Sequence, residues 1–191
     1  MTWRADATDR DRSWFWSTME KGSVVAFDTR LGTCAVRWTD AGLAGVRLPS
    51  ARTGDLPRLH EGVVVPDPIL KAIDGIVSVL EGAATDLRAV ALDERGIDDF
   101  RRAVYMATRA IPPGSTVTYG DIARAIGRPD AARDVGAALA SNPFPIVVPC
   151  HRVVGAGGKL TGFSAPGGLA TKRRMLELEG TPGYGQQTLF G

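Results

Sequence analysis

The chain has 191 residues, 44% of them hydrophobic, which is enough for a packed core in one large domain or two small ones. Its two cysteines, Cys34 and Cys150, lie far apart and it has only two histidines, so neither a disulfide framework nor a protein zinc site is encoded, and no cofactor is expected. The formal charge of +2 hides an asymmetry: residues 95–191 hold 12 Lys/Arg against 7 Asp/Glu, and the remainder 11 against 14. A basic C-terminal half suits modest attraction to a polyanion through phosphate contacts, although a solvated charged surface gives the same count.

Arg4, Asp6, Asp9, Arg10, Asp11 and Arg12 stand where a signal peptide needs an apolar run, and no stretch is long enough to cross a bilayer. A cytoplasmic protein without membrane contact is expected. Residues 1–22, with Trp3, Trp14 and Trp16, read as an N-terminal extension. From Ser23, runs of β-branched and aromatic residues alternate with Gly/Asp turns: Val24–Phe27, Cys34–Trp38 and Gly42–Leu48 predict an antiparallel meander with Cys34 in its core. Ile69, Ile73, Ile76 and Val77 recur at helical spacing over Pro68–Leu80, and a strand is predicted around Leu87–Leu92. Residues 23–94 are therefore expected to form a small α/β unit.

Gly96 marks a boundary, after which Phe100, Ala103, Val104, Ala107 and Ile111 keep a helical stripe until Pro112-Pro113-Gly114 stops it. Thr118 is placed to cap a short helix over Tyr119–Ile126; Gly127 ends it, and Pro129 suits the first turn of a second helix reaching about Ser141. Two short helices around a glycine turn make the helix-turn-helix pattern. The second is unusual for a base reader, because Ala131, Ala132, Gly136, Ala137, Ala138 and Ala140 are small and Arg133 is its only cation. Such a helix can approach a narrow groove closely, with Arg133 as one long probe; an Ala-rich helix packed in a core reads the same way.

Pro149-Cys150-His151-Arg152-Val153 follows the apolar run Pro145-Ile146-Val147-Val148. Only the thiolate of cysteine is a strong nucleophile, and an adjacent imidazole raises its fraction near neutral pH. An inert buried thiol beside a surface histidine fits the same pair.

Taken together, Thr118-Tyr119-Gly120, Ala131-Ala132-Arg133, Asn142-Pro143, Pro149–Val153 and Leu178-Glu179-Gly180 resemble the O6-alkylguanine-DNA alkyltransferases, or methylated-DNA–protein-cysteine methyltransferases, over roughly residues 23–180. The resemblance implies a ribonuclease-H-like N-terminal domain over 23–94, a helix-turn-helix alkyltransferase domain over 95–180 and a tail over 181–191. It implies a monomer that binds double-stranded DNA through the minor groove and flips out O6-alkylguanine, with O4-alkylthymine as a second lesion. Cys150 would then take the alkyl group irreversibly.

By the same resemblance Thr118, Tyr119, Ala132, Arg133, Gly136 and Leu139 contact DNA, with Arg133 filling the vacated stack and Tyr119 pressing on the 3′ phosphate. Tyr119, Pro145, Val153, Phe163 and Ser164 form the base pocket. If Cys150-His151 is extended, their side chains diverge, and a bridging water connects them. Asn142 stabilises the turn before the cysteine, and Arg152 is a structural ion-pair residue. Two glutamates compete to orient His151. Glu177 follows Arg173 and Arg174 by four and three, a surface ion-pair spacing, whereas Glu179 follows Met175 and Leu176 at the same intervals and shares their apolar side, which selects Glu179. Phe163 stands where many relatives have a tyrosine, and Ala165-Pro166 lengthens its loop, leaving the leaving oxygen to backbone N–H groups near Ser164, to Tyr119 or to water.

Two other readings stay open: a damage sensor that flips lesions without repairing them, which Cys150 opposes, and a Cys-His hydrolase, which the helix-turn-helix with Arg133 opposes. Finally, Gln186-Gln187-Thr188-Leu189-Phe190 resembles the short peptides by which bacterial DNA-repair proteins dock on the sliding clamp. Leu189 and Phe190 could equally fold back on the protein's own surface.

Overall fold

The computed structural model describes residues 24–53, 56–59 and 62–185. The N-terminal extension with its tryptophans and the Gln186–Phe190 peptide lie outside the described residues. Strands β1 (Val24–Thr29), β2 (Gly32–Thr39) and β3 (Gly42–Arg47) form the expected antiparallel meander, with Val25 opposite Val36 and Val36 opposite Val46. Their middles are buried at consecutive positions, because both faces of the sheet are covered. Its edges are covered as well. Ala26 exchanges backbone bonds with Pro57 and Leu59 beside β1, and Leu43 does so with Ala91 and Asp93 beside β3. Cys34 is fully buried in this unit, and burial pushes its thiol up to about 11, so it is inert at neutral pH.

Helix α1 (Asp67–Leu80) starts on a proline in its first turn and buries Ile69, Ile73, Ile76 and Leu80 at helical spacing. The strand predicted around Leu87–Leu92 does not form. Arg109 Nη2 donates to the carbonyls of Leu87, Arg88 and Val90 at 2.9, 2.8 and 2.8 Å, so the acceptors a ladder would need are taken by a guanidinium, and only a single bridge between Leu43 and Leu92 remains. Arg109 closes helix α2 (Asp99–Arg109), whose N-cap Asp98 accepts from the backbone N–H of Arg101.

Helix α3 (Tyr119–Ala125) opens with a capping box in which Thr118 Oγ1 accepts from Asp121 N and the Asp121 carboxylate accepts from Thr118 N. Helix α4 (Ala132–Ala140) starts three residues beyond Pro129, not on it. The N–H of Ala131 bonds to Arg128 O at 2.9 Å, making Arg128–Ala131 a β-turn with Pro129 in the position that fixes its φ. Tyr105 of α2 donates to Ala138 O of α4 and meets the Phe144 ring edge-on at 6.4 Å. Short parallel strands β4 (Val117–Thr118) and β5 (Val153–Val154) then bring the start of α3 beside the segment after Cys150, and α5 (Gly168–Leu178) is the last helix among the described residues. One hydrophobic core runs from Val25 in the sheet to Leu178 at the end of α5. Among the described residues no helix is long and apolar enough to cross a membrane.

Gly42 tests the covered edge of β3. Its φ is +129°, and an added Cβ would lie 2.6 Å from Ala91 O. Gly42→Ala should cost about 2 kcal/mol or more in urea unfolding, against about 1 kcal/mol for Gly96→Ala, where φ is +78° but nothing lies within 4 Å.

Candidate active site

The run into Cys150 is a buried loop shaped by one side chain. Asn142 Oδ1 accepts from Phe144 N and its Nδ2 donates to Val148 O, both at 2.9 Å, which satisfies the polar backbone of an otherwise apolar turn. Within that turn Ile146 has φ +76°, the single positive value at a non-glycine position among the described residues. A β-branched residue there costs about 1–3 kcal/mol, and it is held because Ile146 is 1% exposed within the core.

Cys150–Arg152 is a turn of 3-10 helix rather than an extended segment. Arg152 N bonds back to Pro149 O at 2.9 Å, and Val153 N to Cys150 O, so the chain curls instead of alternating. Thiol and imidazole are still not hydrogen-bonded to each other. Burial pushes the Cys150 thiol up, opposed by the Asn142 side chain, the Lys172 ammonium and the N–H groups of Cys150 and His151. Near neutral pH the group is therefore a thiol.

His151 follows the cysteine in this turn. It is fully buried, with Nε2 2.8 Å from Glu179 Oε1. Burial lowers its pKa against the pull of Glu179, so the imidazole is neutral near pH 7. An ionised carboxylate can only accept, so the proton sits on Nε2 and the lone pair on Nδ1. Nδ1 is buried with no protein partner.

Glu179, the residue that caps α5, holds more than the histidine. Arg152 donates to it twice, Nη2 to Oε1 at 2.7 Å and Nε to Oε2 at 2.9 Å, and uses Nη1 on Ile111 O at 2.6 Å. Burial would raise the carboxyl, but His151 and Arg152 outweigh it and hold it at about 2. Glu177, by contrast, makes an exposed pair with Arg174 at 3.4 Å. Glu179 thus lies on the buried side of α5 and Glu177 on its more exposed side.

Lys172 joins the site without having been singled out from the sequence. Its side chain is fully buried, Nζ donates to Val153 O at 2.6 Å and Thr161 O at 3.0 Å, and the ammonium lies 5.7 Å from the centre of the Tyr119 ring. Burial lowers its pKa to about 8, with Cys150 opposing. The signal was present: Lys172 precedes Met175 and Leu176 by three and four residues and Glu179 by seven, on the same side of α5. Thr161 O also accepts from the Tyr119 hydroxyl at 3.1 Å, so one carbonyl fastens both groups, and burial raises the Tyr119 pKa.

Of the remaining expected residues, Pro145 and Val153 are buried and Phe163 is half-buried against the core. Ser164 Oγ donates to Ala140 O at 2.7 Å, tying the Phe163 loop to the end of α4. On α4, Arg133, Ala137 and Ala140 are exposed, Ala132 and Gly136 half-buried, and a Cβ on Gly136 would rest 3.9 Å from the Tyr119 ring. Leu139 departs from expectation. It is 6% exposed beside Val135 and Ala138 on the inner face of α4, so its side chain serves the core and not a groove. Thr118 is spent on the capping box.

Residues 99–181 match the family model for the DNA-binding domain of 6-O-methylguanine DNA methyltransferase. A methylated-DNA–protein-cysteine methyltransferase of Mycobacterium tuberculosis is 47% identical over 65% of this chain and 74% of its own length. The one from Mycolicibacterium paratuberculosis is 39% identical over 85% of this chain and 95% of its length. This chain belongs to the methylated-DNA–protein-cysteine methyltransferase family. The crystal structure of Mycobacterium tuberculosis OGT in complex with DNA superposes with a TM-score of 0.64 at 36% identity, covering 84% of this chain and 96% of that one.

For a methyltransferase built this way, acid should reveal the buried ion cluster. Glu179 has a folded pKa of about 2 against an ordinary 4.5, so its stabilisation is complete above pH 4.5 and is lost as pH falls toward 2. Glu179→Gln should cost about 3–5 kcal/mol at pH 7 by stranding the Arg152 charge, and its stability should fall less steeply than wild type between pH 4.5 and 2. Glu177→Gln should lose about 0.5 kcal/mol or less. Urea titrations across that range check all three.

Proposed function

We propose that this protein repairs O6-alkylguanine in DNA by moving the alkyl group onto Cys150, once per molecule. The observation that carries the reading is Cys150 set between Asn142, Lys172 and a neutral His151 held by Glu179, in a chain of this family. His151 Nδ1 draws the thiol proton through a bridging water, and Glu179 stabilises the imidazolium that results. Sγ attacks the alkyl carbon in line, the C–O6 bond breaks, and its electron pair leaves with guanine, which takes a proton from the Tyr119 hydroxyl or water. The thioether formed has no facile leaving route, so the protein does not turn over.

The base must leave the stack to reach a thiol this buried, at a cost of about a few kcal/mol, least for a lesion whose pairing is already weak. α3 and α4 act as the helix-turn-helix, with α4 in the minor groove, Arg133 filling the gap in the stack, and Ala132 and Gly136 allowing close approach. Tyr119, Pro145, Val153, Phe163 and Ser164 receive the base. The sheet and α1 correspond to a ribonuclease-H-like domain, residues 95–180 to the alkyltransferase domain, and the protein acts as a cytoplasmic monomer. O4-alkylthymine is a second substrate on the same chemistry. The reactive thiol makes repair the better reading than lesion sensing.

Incubation with an O6-methylguanine duplex should add one methyl mass to the Cys150 peptide and none to that of Cys34, with one lesion repaired per protein. Several turnovers, or repair with Cys150 unmodified, would discard the proposal. The peptide Gln186–Phe190 is proposed to dock on a bacterial sliding clamp. The intact chain should bind purified clamp and a chain lacking residues 186–191 should not; equal behaviour of the two removes the clamp without touching Cys150.

A further inference from the structure

Duplex DNA attracts proteins chiefly through its phosphates, and a binding surface normally offers an excess of cations. Residues 119–140, which the proposed function lays against the duplex, carry Arg124, Arg128 and Arg133 against Asp121, Asp130 and Asp134 and so have no net charge. The three acids are differently placed. Asp121 is committed to the Thr118 cap and to an ion pair with Arg124. Asp130 sits in the β-turn before α4. Asp134 is exposed in the first turn of α4, next to Arg133 and three residues before exposed Ala137, and makes no hydrogen bond or ion pair among the described residues.

We propose that Asp134 is an affinity-limiting residue, whose carboxylate on the exposed side of α4 repels the phosphates of duplex DNA and so shortens each stay on undamaged sequence. The inference rests on α4 facing DNA. An exposed charge beside Arg133 offsets the attraction that residue offers any phosphate, and Asp134 is not among the residues assigned to the base pocket. Its repulsion therefore applies equally to damaged and undamaged backbone, while only the damaged duplex gains the pocket. A protein consumed by a single reaction benefits from releasing undamaged DNA quickly. The helix also has its own use for the charge: Ala131 at the N-cap supplies no side-chain acceptor, and an acid in the first turn complements the helix dipole.

The test compares wild type, Asp134→Asn and Asp134→Glu as full chains, on undamaged duplex and on repair of an O6-methylguanine duplex in the presence of undamaged competitor. Asp134→Asn should bind undamaged duplex about threefold to tenfold more tightly at low salt, with the gap closing as salt rises. Its repair should be inhibited at correspondingly lower competitor concentration, its reaction with free O6-benzylguanine should be unchanged, and Asp134→Glu should behave as wild type. Arg133→Ala separates the two layers of the argument. If Arg133→Ala loses duplex repair but keeps the free-base reaction while Asp134→Asn binds duplex as wild type does, the role of Asp134 is overturned and the groove reading stands. If Arg133→Ala repairs duplex normally, the groove reading falls and this inference with it.

Discussion

A single buried carboxylate ties three segments of this molecule together. Glu179 takes three hydrogen bonds from two cationic or polarised partners, and each does a different job. The bonds from Arg152 join the end of α5 to the turn that holds the cysteine and, through Ile111 O, to the segment after α2. The bond from His151 selects the tautomer that leaves Nδ1 basic. A buried ion pair of this sort adds little net stability compared with an apolar replacement, but losing one member is severe. The arrangement is better understood as a device for fixing the position of an imidazole than as a source of folding energy.

The environment around the sulfur works by opposition. Removal from water holds the proton on Cys150, while Asn142, Lys172 and two backbone N–H groups all favour the thiolate. The thiol is protonated near neutral pH, in surroundings that would stabilise its anion. Lys172 belongs to this balance as much as to the architecture: a buried ammonium with its pKa near 8 is a modest, short-range positive charge that also holds the carbonyls of Val153 and Thr161.

Where local pattern and local structure coincide, the chain could be read directly. The meander, α1, the Thr118 cap and the apolar side of α5 that distinguishes Glu179 from Glu177 all follow from periodicity and capping chemistry. The rest turns on partners distant in sequence or on local geometry that composition leaves open. Leu87–Leu92 has the composition of a strand, but Arg109 claims its carbonyls. Pro129 would suit a helix start equally well, yet Ala131 closes a turn around it. The family resemblance implies a groove contact for Leu139, but its place on α4 beside Val135 and Ala138 puts it inside. Lys172 escaped notice because a lysine is ordinarily read as surface, although its spacing against Met175, Leu176 and Glu179 said otherwise.

Ile146 has a consequence for how such a protein responds to warming. Its left-handed backbone is not a shape isoleucine adopts by itself; only the surrounding core enforces it, four residues ahead of the reactive sulfur. Partial loosening of that core therefore releases the strained peptide first, and the loop relaxes toward ordinary dihedrals while most secondary structure persists. A warmed population can then look folded by helix content while the turn ahead of Cys150 has lost its native shape.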